Sequence, residues 1–241
     1  MSLLPTFTTT DVQERRPAVA VLPVGSFEQH GPYLPLITDT AIASVIAREL
    51  AAAYPVLHLP PITVACSHEH KAWPGTVSIS ARTLYSVIDD IRVSLSHSGI
   101  DKLVIVNGHG GNYVLSNVVQ EANVAKRCMS LFPQSGDWQR ARERAGLKSD
   151  PWGDMHAGEA ETSMLLHYEP DLVRSGYETA DHDGGDRRFL LTEGMEPYTE
   201  SGVIGFPSLA SAEKGRLLIE SVTADFAPHL ALLTTGAAEE N

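Results

Sequence analysis

The sequence predicts an α/β protein of three layers, an α/β/α sandwich in which helices cover both faces of a mostly parallel central sheet. Segments typical of strands alternate with segments typical of helices, which is the pattern of parallel βαβ units. Residues 103–106 (LVIV) are short and entirely apolar, as strands buried on both faces are. Polar, glycine-containing loops follow two of the strands, and ligands of such folds bind where strands end.

Apolar residues at strand or helical spacing place the individual elements. Strands are predicted at residues 18–24, 56–64, 103–106 and 129–132. Helices are predicted at residues 40–54, 81–98, 113–122, 157–169 and 211–230. Residues 133–151 and 174–207 lack apolar periodicity and are expected to form loops. Because no linker or repeat divides the chain, we expect residues 1–241 to form a single domain.

Composition limits the classes of partner and location. The net charge of −12 argues against nucleic acid and anionic membranes as partners. No apolar run approaches the ~20 residues of a membrane span, and the N-terminus lacks the pattern of a secretion signal. Cys66 and Cys128 form no CxxC pair and fit a reducing compartment. We therefore expect a cytoplasmic protein that binds neither nucleic acid nor membrane.

The stretch from residue 21 to residue 39 carries three groups that can bind a metal ion. An apolar strand end breaks at Gly25 and is followed by Glu28, His30 and Asp39. An acid and a histidine two positions apart project to the same side of an extended segment. Nitrogen and oxygen donors without a thiolate suit Zn, Mn or Fe. A polar loop facing water explains each residue alone, but two clusters of similar chemistry follow downstream.

The second cluster is residues 107–112 (NGHGGN), directly after an apolar strand. Its glycines let the backbone approach a ligand and leave N–H groups free at the start of a helix. A phosphate cradle is one interpretation, but the Lys-Ser/Thr pair of a P-loop and the GxGxxG spacing are both absent. His109 inside such a turn favours a metal ion, and a tight turn with an incidental histidine is the alternative.

The third cluster is residues 156–163 (HAGEAETS). If a helix starts near Ala157, His156 and Glu159 are neighbours on its first turn and can serve one site. At about 100° per residue, Glu161 points roughly 140° away from His156, so it is expected to support the site from behind. The alternative is that both glutamates only favour the positive end of the helix dipole.

Four motifs in order resemble the creatininase (creatinine amidohydrolase) family. They are VGSFEQHGPYLP…TDT, the PGT of residues 74–76, NGHGGN and HAGEAETS, and the resemblance covers about residues 20–175. It implies a three-layer α/β fold, two divalent metal ions per chain and hydrolysis of carbon–nitrogen bonds. It also implies a homo-oligomer, usually a hexamer built as a trimer of dimers.

The resemblance also implies a ligand set. Glu28 and His109 would hold one ion, His30 would hold the other, and Asp39 would bridge both. Two such ions can share a water and lower its pKa to near neutrality, which supplies hydroxide at pH 7.

One departure from creatininase concerns the second ion. Creatininase takes a glutamate two residues after the histidine that matches His109, and this position is Gly111 here. We expect Glu159 to supply the missing carboxylate, because creatininase has no acid at that point. His156 would be the family's catalytic histidine and would move a proton to the departing nitrogen. The acid that precedes it in creatininase is Met155 here, which weighs against the creatinine reaction itself.

Other residues are expected to face the substrate. Trp152 matches a tryptophan on the substrate side of creatininase. Ser67 and His70 belong to a histidine-rich loop that can line the pocket, although Glu69 and His70 are alternatively partners that orient metal-bound histidines. The N–H groups of Gly110 and Gly111 are candidates to stabilise an oxyanion.

These observations lead to one main functional hypothesis and two alternatives. The main hypothesis is a metal-dependent amidohydrolase that opens a non-peptide C–N bond, in a cyclic amide or formamide of a small molecule. The first alternative is a peptidase of the same family that trims a mycofactocin-type precursor peptide. The second is a catalytically idle binding protein on the same fold.

Overall fold

A four-stranded parallel sheet forms the centre of the computed structural model, which describes residues 4–235. The strands lie in the order β2-β1-β3-β4, and the register pairs Val24 of β1 with Asn107 of β3. Their bounds are β1 Val19–Val24, β2 Val56–His58, β3 Lys102–Asn107 and β4 Met129–Phe132. Because neighbouring strands are parallel, the loops that follow β1 and β3 leave the sheet side by side.

Helices connect and cover the strands. Their bounds are α1 Thr9–Arg15, α2 Thr38–Ala53, α3 Ala81–His97, α4 Val114–Ala122, α5 Ser135–Ala145, α6 Glu159–Tyr168, α7 Leu190–Glu193, α8 Ala212–Asp225 and α9 Ala227–Thr234. Short 3₁₀ turns interrupt the remaining loops, and one of them, His68–His70, lies in the histidine-rich loop.

Each face of the sheet has its own apolar core. Alternate residues of β1 divide between the two, because strand side chains point to opposite faces. Val19 and Val21 pack with helices α2, α6 and α8, whereas Ala20 and Leu22 pack with α3 and α4. The predicted three-layer α/β architecture is thereby confirmed.

Several element boundaries differ from the sequence prediction. Strand β2 ends at His58, before the prolines that interrupt the predicted stretch. Helix α5 was not predicted, because it is polar apart from buried alanines such as Ala141 and Ala145. The last helix divides at Phe226 into α8 and α9, and a proline lies in the first turn of α9.

Residues Ala212–Thr234 form a helical segment that is long and apolar enough to cross a membrane, with a mean hydropathy of 1.2. Core helices pass the same test of length and composition. Here α8 packs against α5 and α6, and its residues Leu218, Ile219 and Val222 are fully buried. Helix α8, the first part of this segment, is therefore built into the core of this fold, whereas α9 buries only Leu233.

Candidate metal centre

The loops after β1 and β3 converge on the start of helix α2. Asp39 lies in the first turn of that helix. A Cβ at Gly25 would lie 2.4 Å from the Cα of Thr40, and a Cβ at Gly108 would lie 2.4 Å from the carbonyl oxygen of Asp39. Only glycine permits such close backbone packing. The two loops therefore hold Asp39 between them.

The first group of potential ligands is Glu28, Asp39 and His109. The Nε2 atom of His109 lies 3.1 Å from Oε2 of Glu28, and its Nδ1 atom lies 3.0 Å from Oδ2 of Asp39. All three side chains are buried. The structure thus brings together residues that the sequence analysis assigned to one ion.

The second group is His30, Asp39 and Glu161. Nε2 of His30 lies 2.9 Å from Oδ1 of Asp39 and 4.0 Å from Oε2 of Glu161. Because the two oxygens of Asp39 face different histidines, its carboxylate is placed to bridge two ions. Ser26 donates a hydrogen bond of 2.8 Å to Oδ2 of Asp39 and helps to fix its orientation.

The expected placement of Glu159 at the second ion was wrong. Its carboxylate accepts hydrogen bonds from the backbone N–H groups of Lys148 and Ser149 and from the Ser149 hydroxyl, and it pairs with Lys214. Across residues 4–235, the groups that could hold an ion do not include Glu159. Glu159 therefore anchors helix α6 to neighbouring segments, and its proposed catalytic role is not supported.

Glu161 occupies the place expected for Glu159, and the reason is local backbone geometry. The expectation assumed a helix from Ala157, but α6 begins only at Glu159, and Ala157 has a left-handed φ of 53°. His156 is therefore outside the helical periodicity. Oε2 of Glu161 accepts a hydrogen bond of 2.6 Å from the N–H of Ala157, which turns the carboxylate towards the ligands.

His156 lies beside the two groups, as expected, and forms a third group of potential ligands with Glu28 and His30. Its ring centroid is 4.1 Å from that of His30, and its Nδ1 atom is 3.8 Å from Oε1 of Glu28. The Nε2 atom lies 2.6 Å from the carbonyl oxygen of Gln29, so this nitrogen carries the proton and donates it. Nδ1 therefore presents its lone pair to the site.

His70 is buried against Glu28, one of the potential metal ligands, and it lines neither of the two cavities described below. Its Nε2 atom lies 3.1 Å from Oε1 of Glu28, and its Nδ1 atom lies 2.9 Å from Nε2 of Gln29. The two protons on that Gln29 nitrogen serve His70 and the carbonyl oxygen of Gly202, at 3.1 Å. Of the two alternatives for His70, the structure favours orientation of the ligand set.

Burial and charge separate the pKa values of these histidines. Although burial opposes it, the Asp39 carboxylate raises the pKa of His30 to about 9. Burial lowers the pKa of His70 to about 3. Burial, together with the neighbouring His30, holds the pKa of His156 well below its usual range. At pH 7 and without ions, His30 thus carries a proton, whereas His70 and His156 are neutral.

The donor set fits divalent metal ions. Both carboxylate oxygens of Glu28 and the Nε2 atom of His109 are buried and have no hydrogen-bond partner among the residues that the structure describes. Buried polar atoms without partners are costly, and a cation removes that cost. Nitrogen and oxygen donors in this arrangement suit zinc, manganese or iron.

Two cavities border the loop that follows β3. The larger has a volume of about 830 Å³, is lined by His109, Gly110 and Glu161, and has an apolar wall that includes Trp138 and Met164. The smaller has a volume of about 400 Å³. Its lining includes Glu69, Gly111, Tyr113 and Leu190. The predicted substrate-facing residues Gly110 and Gly111 thus each line one cavity.

Two other residues expected at the substrate lie elsewhere. Trp152 is 60% exposed, stacks over the guanidinium of Arg187 at 4.6 Å, and lines neither of these cavities. Ser67 is buried, and within residues 4–235 its hydroxyl has no hydrogen-bond partner. Neither side chain is placed to contact a molecule in the two cavities.

Sequence reasoning did not single out Gln29 or assign Glu69 a ligand position. Gln29 lies between Glu28 and His30 in the first motif, and its position among ligands was an available signal. Oε1 of Glu69 lies 3.4 Å from Nε2 of His109. The loop of residues 67–71 (SHEHK) was considered in the sequence mainly for its histidines. In the structure it is the acid of this loop, Glu69, that lies beside His109.

Sequence comparison identifies relatives over most of the chain. The family model for creatinine amidohydrolase matches residues 5–230. The mycofactocin precursor peptide peptidase of Mycobacterium ulcerans (strain Agy99) is 33% identical over 97% of this chain and 92% of its own length. That of Mycobacterium tuberculosis (strain ATCC 25618 / H37Rv) is 34% identical over 90% of this chain and 86% of its own. The creatinine amidohydrolase of Pseudomonas putida is 26% identical over 84% of each chain.

Comparison of structures shows the same fold. A manganese form of creatininase superposes with a TM-score of 0.79 at 22% identity, covering 96% of this chain and 98% of the other. A further crystal structure of creatinine amidohydrolase has a TM-score of 0.77 at 23% identity, with 93% and 95% covered. The match of the family model and the identity to full-length relatives, together with the shared fold, show that this protein belongs to the creatininase (creatinine amidohydrolase) family of hydrolases.

Proposed function

We propose that this protein is a metal-dependent peptidase that cleaves an amide bond in a peptide of the mycofactocin-precursor type. Relatives with that activity in their names are 33–34% identical over at least 90% of this chain. The proposed centre holds two divalent ions, one at Glu28 and His109 and one at His30 and Glu161, with Asp39 between them.

The observation that carries the proposal is the pair of cavities beside the ligands. Gly110 lines the larger cavity and Gly111, the next residue, lines the smaller. An extended chain laid across these two glycines would pass His109 with residues on both sides of it. A peptide substrate requires such an arrangement, whereas a small amide needs only one cavity.

When bound, two divalent ions supply an activated water near neutral pH and polarise the substrate carbonyl. The residues around them position the reacting groups. Asp39 spans both ligand groups through its two oxygens. Gly110 leaves open space at its Cα, with no atom within 4 Å of where a Cβ would lie, so a substrate backbone can approach closely.

His156 is the residue proposed to move a proton. Its Nε2–H is held by the carbonyl oxygen of Gln29, so Nδ1 is free to accept a proton and return it to the departing nitrogen. A departing amide nitrogen needs that proton, because it would otherwise leave as a strongly basic anion. Burial of the ring lowers its pKa and keeps it neutral at pH 7.

A second candidate is hydrolysis of a small non-peptide amide, the main hypothesis from the sequence. It is favoured by the 26% identity to the creatinine amidohydrolase of Pseudomonas putida and by the apolar wall of the larger cavity. A small amide that carries a phosphate group, as a nucleotide does, is less suited to that cavity, because the nearby cationic side chains already have acidic partners. Arg142 lines it but is paired with Asp154 at 3.2 Å, and Lys214 is paired with Glu159.

The test is hydrolysis by the metal-loaded protein, followed by mass spectrometry. The substrates are a mycofactocin-type precursor peptide, short unrelated peptides, creatinine and small formamides. We expect cleavage of the precursor peptide, loss of cleavage after chelation and recovery on adding Zn²⁺ or Mn²⁺. A Glu28→Gln variant is the matched inactive control. Turnover of creatinine or formamides without any peptide cleavage would reject the peptidase proposal in favour of the second candidate.

A further inference from the structure

The carboxylate of Glu69 fills the space that a side chain at position 111 would need. A Cβ at Gly111 would lie 1.9 Å from Oε1 of Glu69 and 2.4 Å from Nε2 of His109. Both distances are far below van der Waals contact, so residue 111 must be glycine while Glu69 keeps this position. The acid that creatininase carries at this point in its sequence is absent, and another acid reaches the same place from a different loop.

The backbone of Glu69 is held so that its side chain points at the ligands. Glu69 is the middle residue of the 3₁₀ turn His68–His70, and its carbonyl oxygen accepts a hydrogen bond of 2.9 Å from the N–H of Met195. A Cβ at Gly194 would lie 2.9 Å from that same oxygen, so the two segments pack in direct contact. The side chain is only 17% exposed.

Distances at His109 match those between two ligands of one ion. Its Nε2 atom lies 3.1 Å from Oε2 of Glu28 and 3.4 Å from Oε1 of Glu69. Ligands at about 2.1 Å from a tetrahedral ion are separated from one another by about 3.4 Å. Nε2 makes no aligned hydrogen bond among the described residues, so a bound ion would displace only a proton from this nitrogen.

A further carboxylate also suits the charge of the centre. Glu28, Asp39 and Glu161 supply three negative charges to a buried site that would receive two divalent cations. Glu69 supplies a fourth, which balances the two ions while the water that they share is still neutral. Because uncompensated charge in a buried site is costly, a fourth carboxylate within reach stabilises the filled centre.

We propose that Glu69 is a further ligand of the ion held by Glu28 and His109. Glu161 serves the other ion, the one that the acid missing at Gly111 serves in creatininase, so Glu69 is an additional ligand that uses the space left at Gly111. This inference rests on the proposed two-metal centre but not on the choice of a peptide as substrate. Glu69 also lines the smaller cavity, so this ligand would lie where the substrate enters.

The test is the number and affinity of bound ions in Glu69→Gln, measured by titration calorimetry with Zn²⁺ and by elemental analysis. We expect one of the two ions to bind at least about tenfold more weakly than in the wild type. Glu193→Gln is the matched control, because Glu193 lies in the adjacent helix α7 and bonds Tyr198 at 3.0 Å, away from the ligands. Unchanged affinity of both ions in Glu69→Gln would overturn the proposal.

Two further variants keep the test decisive. Gly111→Ala should displace the same carboxylate and weaken the same ion, and unchanged binding in this variant would also overturn the proposal. The exchange variant Glu69→Ala/Gly111→Glu returns an acid to the gap from the other side and should recover the affinity lost in Glu69→Ala. A wild type that binds two ions but cleaves no peptide would reject only the proposed substrate, whereas a wild type without ion binding would reject this inference as well.

Discussion

Oε2 of Glu161 lies 4.0 Å from Nε2 of His30, whereas the carboxylate of Glu159, two residues earlier, pairs with Lys214. The two acids belong to the first turn of one helix and serve different purposes. Residues two positions apart on a helix project about 200° apart, and the left-handed Ala157 just before the helix sets which of the two acids faces the site. One acid therefore faces the ligand groups and the other fastens the helix to its neighbours.

We expect Glu161→Gln to lose most binding of one ion, because an amide is a weak ligand and carries no charge. Glu159→Gln is the matched variant: it should keep both ions and lose about 1–3 kcal/mol of unfolding free energy, because its buried partners lose an ionised acceptor. Elemental analysis and denaturant unfolding measure the two quantities. A Glu159→Gln protein with one ion, beside a Glu161→Gln protein with two, would reverse the assignment.

The metal-free protein should lose stability as the pH rises from about 6.5 to 9. Despite burial, Asp39 raises the pKa of His30 to about 9, so the folded protein holds a proton that the unfolded chain releases near pH 6.5. This contribution, at most about 3 kcal/mol, is complete below pH 6.5 and lost as the pH passes 9. Burial raises the pKa of Glu161 from 4.5 to about 7, so this group lowers stability between about pH 4.5 and 7, before the interval that His30 governs.

Thermal unfolding of chelated protein across this pH interval measures the effect, and Tm should fall. The metal-loaded protein is the control. Its ions displace the proton of His30, so affinity for metal should rise with pH over the same interval. A Tm of the chelated protein that stays level or increases between pH 7 and 9 would show that His30 is not protonated in the fold.

Gln29→Leu should destabilise the metal-free protein by about 1–3 kcal/mol, because His70 Nδ1 and the carbonyl oxygen of Gly202 both lose their donor. It should also leave the tautomer of His70 unfixed, because no donor then faces Nδ1. The ¹⁵N chemical shifts of labelled histidine detect that change. Gln139→Leu is a control, since that side chain is exposed and bonds only Glu143 in the described structure. Identical His70 spectra in wild type and Gln29→Leu would reject the proposed orientation.

Asp154→Ala should destabilise the start of helix α6 by about 1–2 kcal/mol, the usual effect of losing a cap. Oδ1 of Asp154 accepts a hydrogen bond of 2.6 Å from the N–H of Glu159, and Oδ2 accepts one of 3.2 Å from that of Ala160. Because Glu161 lies in that first turn, the ion at His30 should also bind more weakly. Hydrogen exchange at residues 159–162 and metal titration measure both effects, and unchanged exchange would contradict the capping role.

Most of the fold could be predicted from apolar patterning. The four central residues of β3 are buried, and their apolar composition alone identifies the strand. Helix α5 could not be found in this way, because its buried face is built from Ala141 and Ala145, and these weakly apolar residues give little signal. Its ends are instead set by a capping box at Gln134 and a left-handed Gly146.

The candidate ligand set was predictable where residues follow strands and not where it depends on backbone conformation. Glu28, His30, Asp39 and His109 were each found from their place after a strand or at a helix start, and the structure brings them together. Whether Glu159 or Glu161 faces the metal site depends on the φ of Ala157. A helical wheel assumes regular helical angles at every residue, so it could not decide between the two.

Gly25 and Gly108 support the part of this centre that must stay constant, which is the position of Asp39. The residues that line the larger cavity can vary. Each packs directly on the backbone at the start of α2, so the bridging carboxylate is positioned by main chain rather than by neighbouring side chains. The walls of the larger cavity, including Trp138 and Met164, take no part in that support. A laboratory evolution campaign towards new amides can therefore vary those walls, within the limits set by the packing of Trp138 and Met164 on the apolar core, while leaving both glycines untouched.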